Sequence, residues 1–259
     1  MDGLFTMLGT AGSLGIPVVG CSCSVCLSHH PHDQRLRPSA MLEVGGKRIV
    51  IDTGPDFREQ ALHFNINRLD GVIYTHAHND HTAGFDDLRA YRIFDKRPIS
   101  CLLSKETADD LRRRYAYIFE PQDPEKLLSK VELQILPSDR GECTFLGLTF
   151  RYLSYEQAGM RVNGFRFGNL AYLTDLKHYP ETIFDDLKGV ETLIVSALRH
   201  EPSPFHLSVE EASAFADRVG AKKTFFNHIG HELAHEETNA RLPSHIRLSY
   251  DRLRIPFTM

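Results

Sequence analysis

The stretch Tyr74–Gly84, YTHAHNDHTAG, places three histidines and an aspartate within the six residues from His76 to His81. The preceding segment, DGVI from Asp70, is a short apolar run that reads as a buried strand. Imidazole nitrogen and carboxylate oxygen are the donors that zinc, manganese and iron(II) take. Donors fixed at a strand end can converge on one point with little further loss of chain entropy. The competing reading is a solvated loop that happens to be rich in histidine. Three histidines and an aspartate in this order, directly after an apolar strand, favour a metal centre formed by His76, His78, Asp80 and His81.

Working outward, the chain has 259 residues, of which 42% are hydrophobic and 25% charged. That is the composition of a globular chain with a substantial core, and a single domain over residues 1–259 is the economical expectation. The net charge of −4 argues against a general polyanion-binding surface, so nucleic acid is not an expected partner. No apolar run approaches the ~18 residues of a membrane span, and the glycine-broken start lacks the basic head of a signal peptide. A cytoplasmic protein with no membrane partner is expected.

Strand and helix signals alternate. LFTMLGT reads as a strand entering a glycine-rich turn. MLEVGGKRIVIDTG reads as a hairpin about Gly45–Gly46. Helical patterns run from Asp56 to His63, through DDLRAYRIF, and through KETADDLRRRYAYIF with Ser104 as its cap. From Val131 to Leu176 strands dominate. ETLIVSA and KKTFFNH follow as strands around the helix SVEEASAFADRV, and IRLSYDRLRIPF reads as a closing hairpin. Two sheets covered by helices are expected.

THAHNDH resembles the T-H-x-H-x-D-H signature of the metallo-β-lactamase fold. GTAGSLGIPVVGCSCSVC, VIDTGPDFREQ, AYLTD, LRHEPSPFHLSVEEA and NHIGHELAHEE follow the order of the branch that contains a cyclic-phosphate phosphodiesterase of bacterial phosphonate degradation. The resemblance implies an α/β, four-layer αββα sandwich with one or two zinc or manganese ions at one edge. It implies His76 and His78 on one metal, Asp80, His81 and His228 on the other, and Asp175 bridging them. His206 is implied as the proton donor to the leaving oxygen, so catalysis is expected to depend on His206 and Asp80. Asp52 is implied as a supporting aspartate and not a ligand. Arg199 and His200 are candidates for phosphate contact or simple surface charge.

One position departs from the pattern. Where the family places a third histidine on the first metal, this chain has Gln157, and no histidine occurs between His81 and His178. A neutral amide oxygen is a poorer ligand for zinc than imidazole. A weakened, mononuclear or manganese-biased first site is therefore expected, unless the neighbouring Glu156 turns inward against the strand alternation.

Of five cysteines, Cys21, Cys23 and Cys26 lie within six residues, a spacing that suits metal better than disulfides. By the same resemblance, His231 closes a structural Cys3His zinc site. His29, His30 and His32 read as a solvated loop, and Cys101 and Cys143 as buried strand cysteines. The favoured activity is hydrolysis of a small cyclic or nucleotide-like phosphodiester by a metal-activated water. The alternatives are another hydrolysis on the same fold (lactone, thioester or RNA) and a catalytically impaired metal-binding scaffold. A homodimer is compatible with the family and is not specified by any residue.

Overall fold

The computed structural model describes residues 1–120 and 130–259. In the first half, β1 (Asp2–Gly9), β2 (Ser39–Val44) and β3 (Lys47–Ile51) form an antiparallel meander. Gly45 and Gly46, with φ of 57° and 72°, make the β2–β3 turn in the left-handed region that glycine enters freely. Helix α1 (Phe57–His63) then leads to β4 (Gly71–Ile73), which pairs parallel to β3. The histidine segment runs into the short α2 (Asn79–Thr82), which carries Asp80 and His81; α3 (Arg89–Asp95) and β5 (Ile99–Leu103) follow. Helix α4 (Lys105–Arg114) starts at Ser104, whose side chain accepts the Thr107 N–H as expected. The helix breaks at Tyr115, before α5 (Ala116–Phe119), and β6 (Val131–Ile135) completes the run.

The second half supplies β7 (Arg140–Phe145), β8 (Leu148–Gln157), β9 (Met160–Phe167), β10 (Leu170–Leu173), α6 (Ile183–Leu187) and β11 (Thr192–Ser196). Helix α7 (Val209–Val219) follows, opened by a capping box between Ser208 and Glu211. The chain continues through β12 (Lys223–Asn227), α8 (His235–Arg241), β13 (Ile246–Leu248) and β14 (Arg254–Thr258). Two seven-stranded sheets result, ordered β14-β1-β2-β3-β4-β5-β6 and β13-β12-β11-β10-β9-β8-β7. The expected closing hairpin does not form: β13 ends the second sheet and β14 crosses to edge the first. The tail thereby covers the edge of β1 rather than folding back on itself.

Strand alternation builds the four layers. Ile49 and Ile51 face the inter-sheet core with Phe5, Phe165 and Tyr172, while Val50 between them packs outward with Val72 and Leu111 under the helices. In β11, Ile194 faces the other sheet, whereas Leu193 and Val195 pack with Phe215 of α7. The architecture is the expected αββα sandwich.

Its consequence for function lies at one edge. β3 and β4 are parallel to each other, as are β10, β11 and β12. Asp52, Asp175 and His228, close behind the ends of β3, β10 and β12, adopt left-handed φ of 63°, 54° and 56°. Non-glycine residues held there cost on the order of 1 kcal/mol or more each and cluster at working sites.

Candidate metal centre

His81 is fully buried, and both of its ring nitrogens face carboxylates. Its Nδ1 lies 2.7 Å from Asp52 Oδ2, and its Nε2 lies 3.1 Å from Asp175 Oδ2 and 3.5 Å from Asp80 Oδ2. His228 Nε2 lies 3.2 Å from Asp175 Oδ1 and 3.4 Å from Asp80 Oδ2. Ligand atoms with bonds of ~2.0–2.2 Å to one cation sit roughly 3–3.5 Å apart, so Asp80, His81 and His228 fit a single divalent ion, with Asp175 against both imidazoles. His81 Nε2 is buried with no hydrogen-bond partner, as a nitrogen aimed at a cation would be. His76 Nε2 and His78 Nδ1 approach to 2.9 Å beside this group, and one ligand atom each of His76, His81 and Asp175 fall within 4.8 Å of one another.

The supporting shell is dense. Asp52 accepts the Thr75 N–H at 2.8 Å and its hydroxyl at 2.7 Å, which ties the end of β3 to the histidine segment. Asn163 of β9 donates both its backbone and side-chain N–H to the Thr75 carbonyl, each at 2.9 Å, so the second sheet holds the first at this point. The Thr174 hydroxyl donates to Asp175 Oδ2 at 2.7 Å. Gly54 lets the chain pass: a Cβ there would come within 2.0 Å of the Asp80 carbonyl oxygen. Arg114 of α4 clamps the loop from outside, donating to the Asn79 side chain and the Ala77 carbonyl at 2.8 Å and to the Thr82 hydroxyl at 3.0 Å. Nothing in the sequence marks Arg114, one of three consecutive arginines; its role emerges only when α4 packs against the loop.

Burial and neighbouring charge set the ionisation. Burial raises the Asp80 and Asp175 carboxyls, but the surrounding imidazoles outweigh it and hold both below the usual carboxylate range. Burial lowers His81 and His228, but the facing carboxylates leave both above the ordinary imidazole range. His76 is pushed well down by burial and by His81. Asp52 is pushed up by burial against the pull of His81.

His206 stands at the mouth of the group, Nδ1 3.6 Å from Asp175 Oδ1, in the loop that leads into α7. Burial and the nearby His228 lower it to about 4. Gln157, at the tip of the β8–β9 hairpin, points its amide at His206, Nε2 to Nε2 at 3.4 Å, and its Oε1 is buried without a partner. Glu156 does not turn inward; it faces a separate cleft with Arg161 and His178. The Arg199 backbone frames the His206 loop through its carbonyl, which accepts the Val209 N–H, and His200 is exposed.

A second cluster joins the N-terminal loop to the segment after β12. His231 Nδ1 lies 3.2 Å from Cys21 Sγ and 3.5 Å from both Cys23 Sγ and Cys26 Sγ. Bonds of ~2.3 Å to sulfur and ~2.0 Å to nitrogen at a tetrahedral angle place S and N about 3.5 Å apart, so the four residues fit one zinc ion. The Cys26 N–H lowers the Cys23 thiol to about 6, while burial pushes Cys26 up. Cys101 is fully buried in β5 as expected, but Cys143 on β7 is only partly covered. His29 is exposed as expected; His30 and His32 instead are half-buried against other side chains.

Residues 47–229 match the beta-lactamase superfamily domain. The chain belongs to that superfamily. A crystal structure of a diphosphatase from the PhnP family superposes with a TM-score of 0.91 at 38% identity, covering 99% of this chain and 98% of that one. An octanoyltransferase of Porphyromonas gingivalis is 34% identical over 95% of this chain, which spans 50% of that longer protein. A ribonuclease Z of Bradyrhizobium diazoefficiens is 39% identical over 27% of this chain and 22% of its own length. Among the described residues no helix is long and apolar enough to cross a membrane.

Proposed function

We propose that this chain hydrolyses a small cyclic or nucleotide-like phosphodiester, or the phosphoanhydride of a substituted diphosphate. The observation that carries the reading is the Asp175 carboxylate, set between His81 and His228 with His206 3.6 Å from its Oδ1. In this reading Asp80, His81, His228 and Asp175 would hold one divalent ion, His76 and His78 with Asp175 would hold a second, and the Cys3His cluster would hold structural zinc. A bound ion supplies an acidified water and offsets charge on the phosphoryl oxygens.

The protein's own part is positional. Asp52 and Thr75 hold the rings of His81 and His76 in place. The Gln157 amide donates to His206 Nε2 and steadies the ring, so His206 carries its proton on Nδ1, beside Asp175 Oδ1, and that is the proton it would deliver to the leaving oxygen. The diphosphatase at 38% identity supports phosphorus over carbon as the electrophile. The acyl-transfer name belongs to a relative twice as long as the match, and the ribonuclease likeness covers little more than a quarter of this chain.

The test is turnover of bis-p-nitrophenyl phosphate and of a dinucleoside diphosphate with added manganese or zinc. The wild type is expected to hydrolyse at least one, and both Asp80→Ala and His206→Ala to lose it. Turnover of only a lactone, a thioester or precursor RNA would replace the reading. Turnover of none would favour an impaired scaffold.

A further inference from the structure

We propose that His30, His32 and Glu236 form an additional cation site, distinct from the two clusters above, that takes a borderline divalent transition ion such as zinc or nickel(II). The residues come from LSHHPHD, just after the cysteine cluster, and from AHEE, just after His231. One ligand atom of each lies within 4.8 Å of the other two.

Each donor has a reason to point where it does. His30 Nδ1 accepts the His32 N–H at 3.3 Å, which leaves Nε2 as its outward nitrogen, 3.6 Å from Glu236 Oε1. The His32 ring lies flat on Tyr250, centroids 4.0 Å apart and planes 18° from parallel, and meets His235 edge-on at 4.5 Å. Its Nδ1 is buried with no hydrogen-bond partner, although a buried ring nitrogen ordinarily finds one. Burial lowers the His32 pKa, keeping the ring neutral and able to donate a lone pair at neutral pH.

His235 takes no place in the set. Its Nδ1 faces Arg35 Nη2 at 3.0 Å, and since a guanidinium only donates, the proton of His235 sits on Nε2. Two imidazoles and one carboxylate match zinc or nickel better than magnesium or calcium, which prefer oxygen. His30 Nε2 and Glu236 Oε1 are already 3.6 Å apart and the other donor pairs lie within 4.8 Å, so reaching the ~3.3 Å spacing around one ion requires shifts of about 1.5 Å at most. Glu236, its side chain 75% exposed, can supply that by rotation. An ion there would join the turn at residues 30–32 to the start of α8, next along the chain from the Cys21–Cys26 loop and His231 that the Cys3His cluster brings together. Binding only to the folded chain, it would raise thermal stability.

The test is equilibrium dialysis of the zinc-loaded, tag-free protein against nickel(II), with metal counted by plasma mass spectrometry and melting followed by circular dichroism. The wild type is expected to bind one more nickel per chain than either His32→Ala or Glu236→Gln, with affinity on the order of ten-fold lower in the variants. A melting rise with nickel is expected only in the wild type, with phosphodiester turnover equal in all three. Equal nickel content in the wild type and Glu236→Gln, whose exposed side chain carries no packing, would overturn the proposal even if His32→Ala folds poorly.

Discussion

Asp52 closes on the back of His81: its Oδ2 lies 2.7 Å from the ring Nδ1, and both side chains are fully buried. The contact fixes which nitrogen of His81 faces Asp80 and Asp175, and the charge of Asp52 makes that nitrogen a better donor. Asp52→Asn keeps the size and removes the charge. Metal affinity of the centre is expected to fall about 10–100-fold, read by competition with a chromogenic chelator. Unchanged affinity would reduce Asp52 to a structural strut.

Arg114 is expected to act through the loop rather than on substrate. Arg114→Met keeps the aliphatic stem and removes the donors to Asn79, Ala77 and Thr82. At roughly 1 kcal/mol for each such bond, kcat is expected to drop about ten-fold or more. Amide exchange of residues 76–82 should quicken while the melting temperature moves by only a few degrees. A large global destabilisation with slow exchange retained in the loop would contradict the clamp.

Asp251 gives the fold a pH signature away from the metal sites. Burial raises its carboxyl to about 6, against the Leu36 N–H, the Thr10 hydroxyl and the charge of Arg35. The folded chain therefore binds this proton more tightly than the unfolded one between pH 4 and 6. Stability from this group is full below the unfolded value and is lost as pH rises through 6, by about 3 kcal/mol in all. Subtracting the stability–pH curve of Asp251→Asn from that of the wild type should isolate a fall of that size. A flat difference would mean that the carboxyl titrates in the folded chain as it does in the unfolded one.

What was legible in the sequence is what lies close along the chain or repeats with a strand's period. The histidine segment could be read because its four donors lie within six residues directly behind a strand, whereas Asp52 was reached by resemblance. Asp175, His228 and His231 were reached by resemblance, since nothing local distinguishes a strand-end aspartate that accepts a bridging role from one that caps a turn. The His30–His32–Glu236 cluster was not legible: its halves lie more than 200 residues apart, and a half-buried imidazole in a loop leaves the same trace in sequence as a solvated one. The separation of β13 from β14 was missed for a related reason. Tyr250–Arg252 could close a hairpin, and only the unpaired edge of β1 decides otherwise.

Gln157 is the position where substitution says most about the centre. Its amide Nε2 lies 3.4 Å from His206 Nε2, and its buried Oε1 has no hydrogen-bond partner, so the side chain touches the ring of the proposed acid and leaves one oxygen donor uncommitted. Gln157→His adds an imidazole at the place where the family carries one. The variant is expected to retain one more zinc per chain after dialysis and to shift its preference from manganese towards zinc. Turnover with zinc should rise, while the contact that steadies His206 is lost and the alkaline limb of the pH–rate profile, set by loss of the His206 proton, moves. Gln157→Ala separates the two effects: it should shift the pH profile in the same direction with no gain of metal. If Gln157→Ala instead loses a metal ion that the wild type holds, the amide is itself a ligand, and the first site is built from two histidines and an amide oxygen.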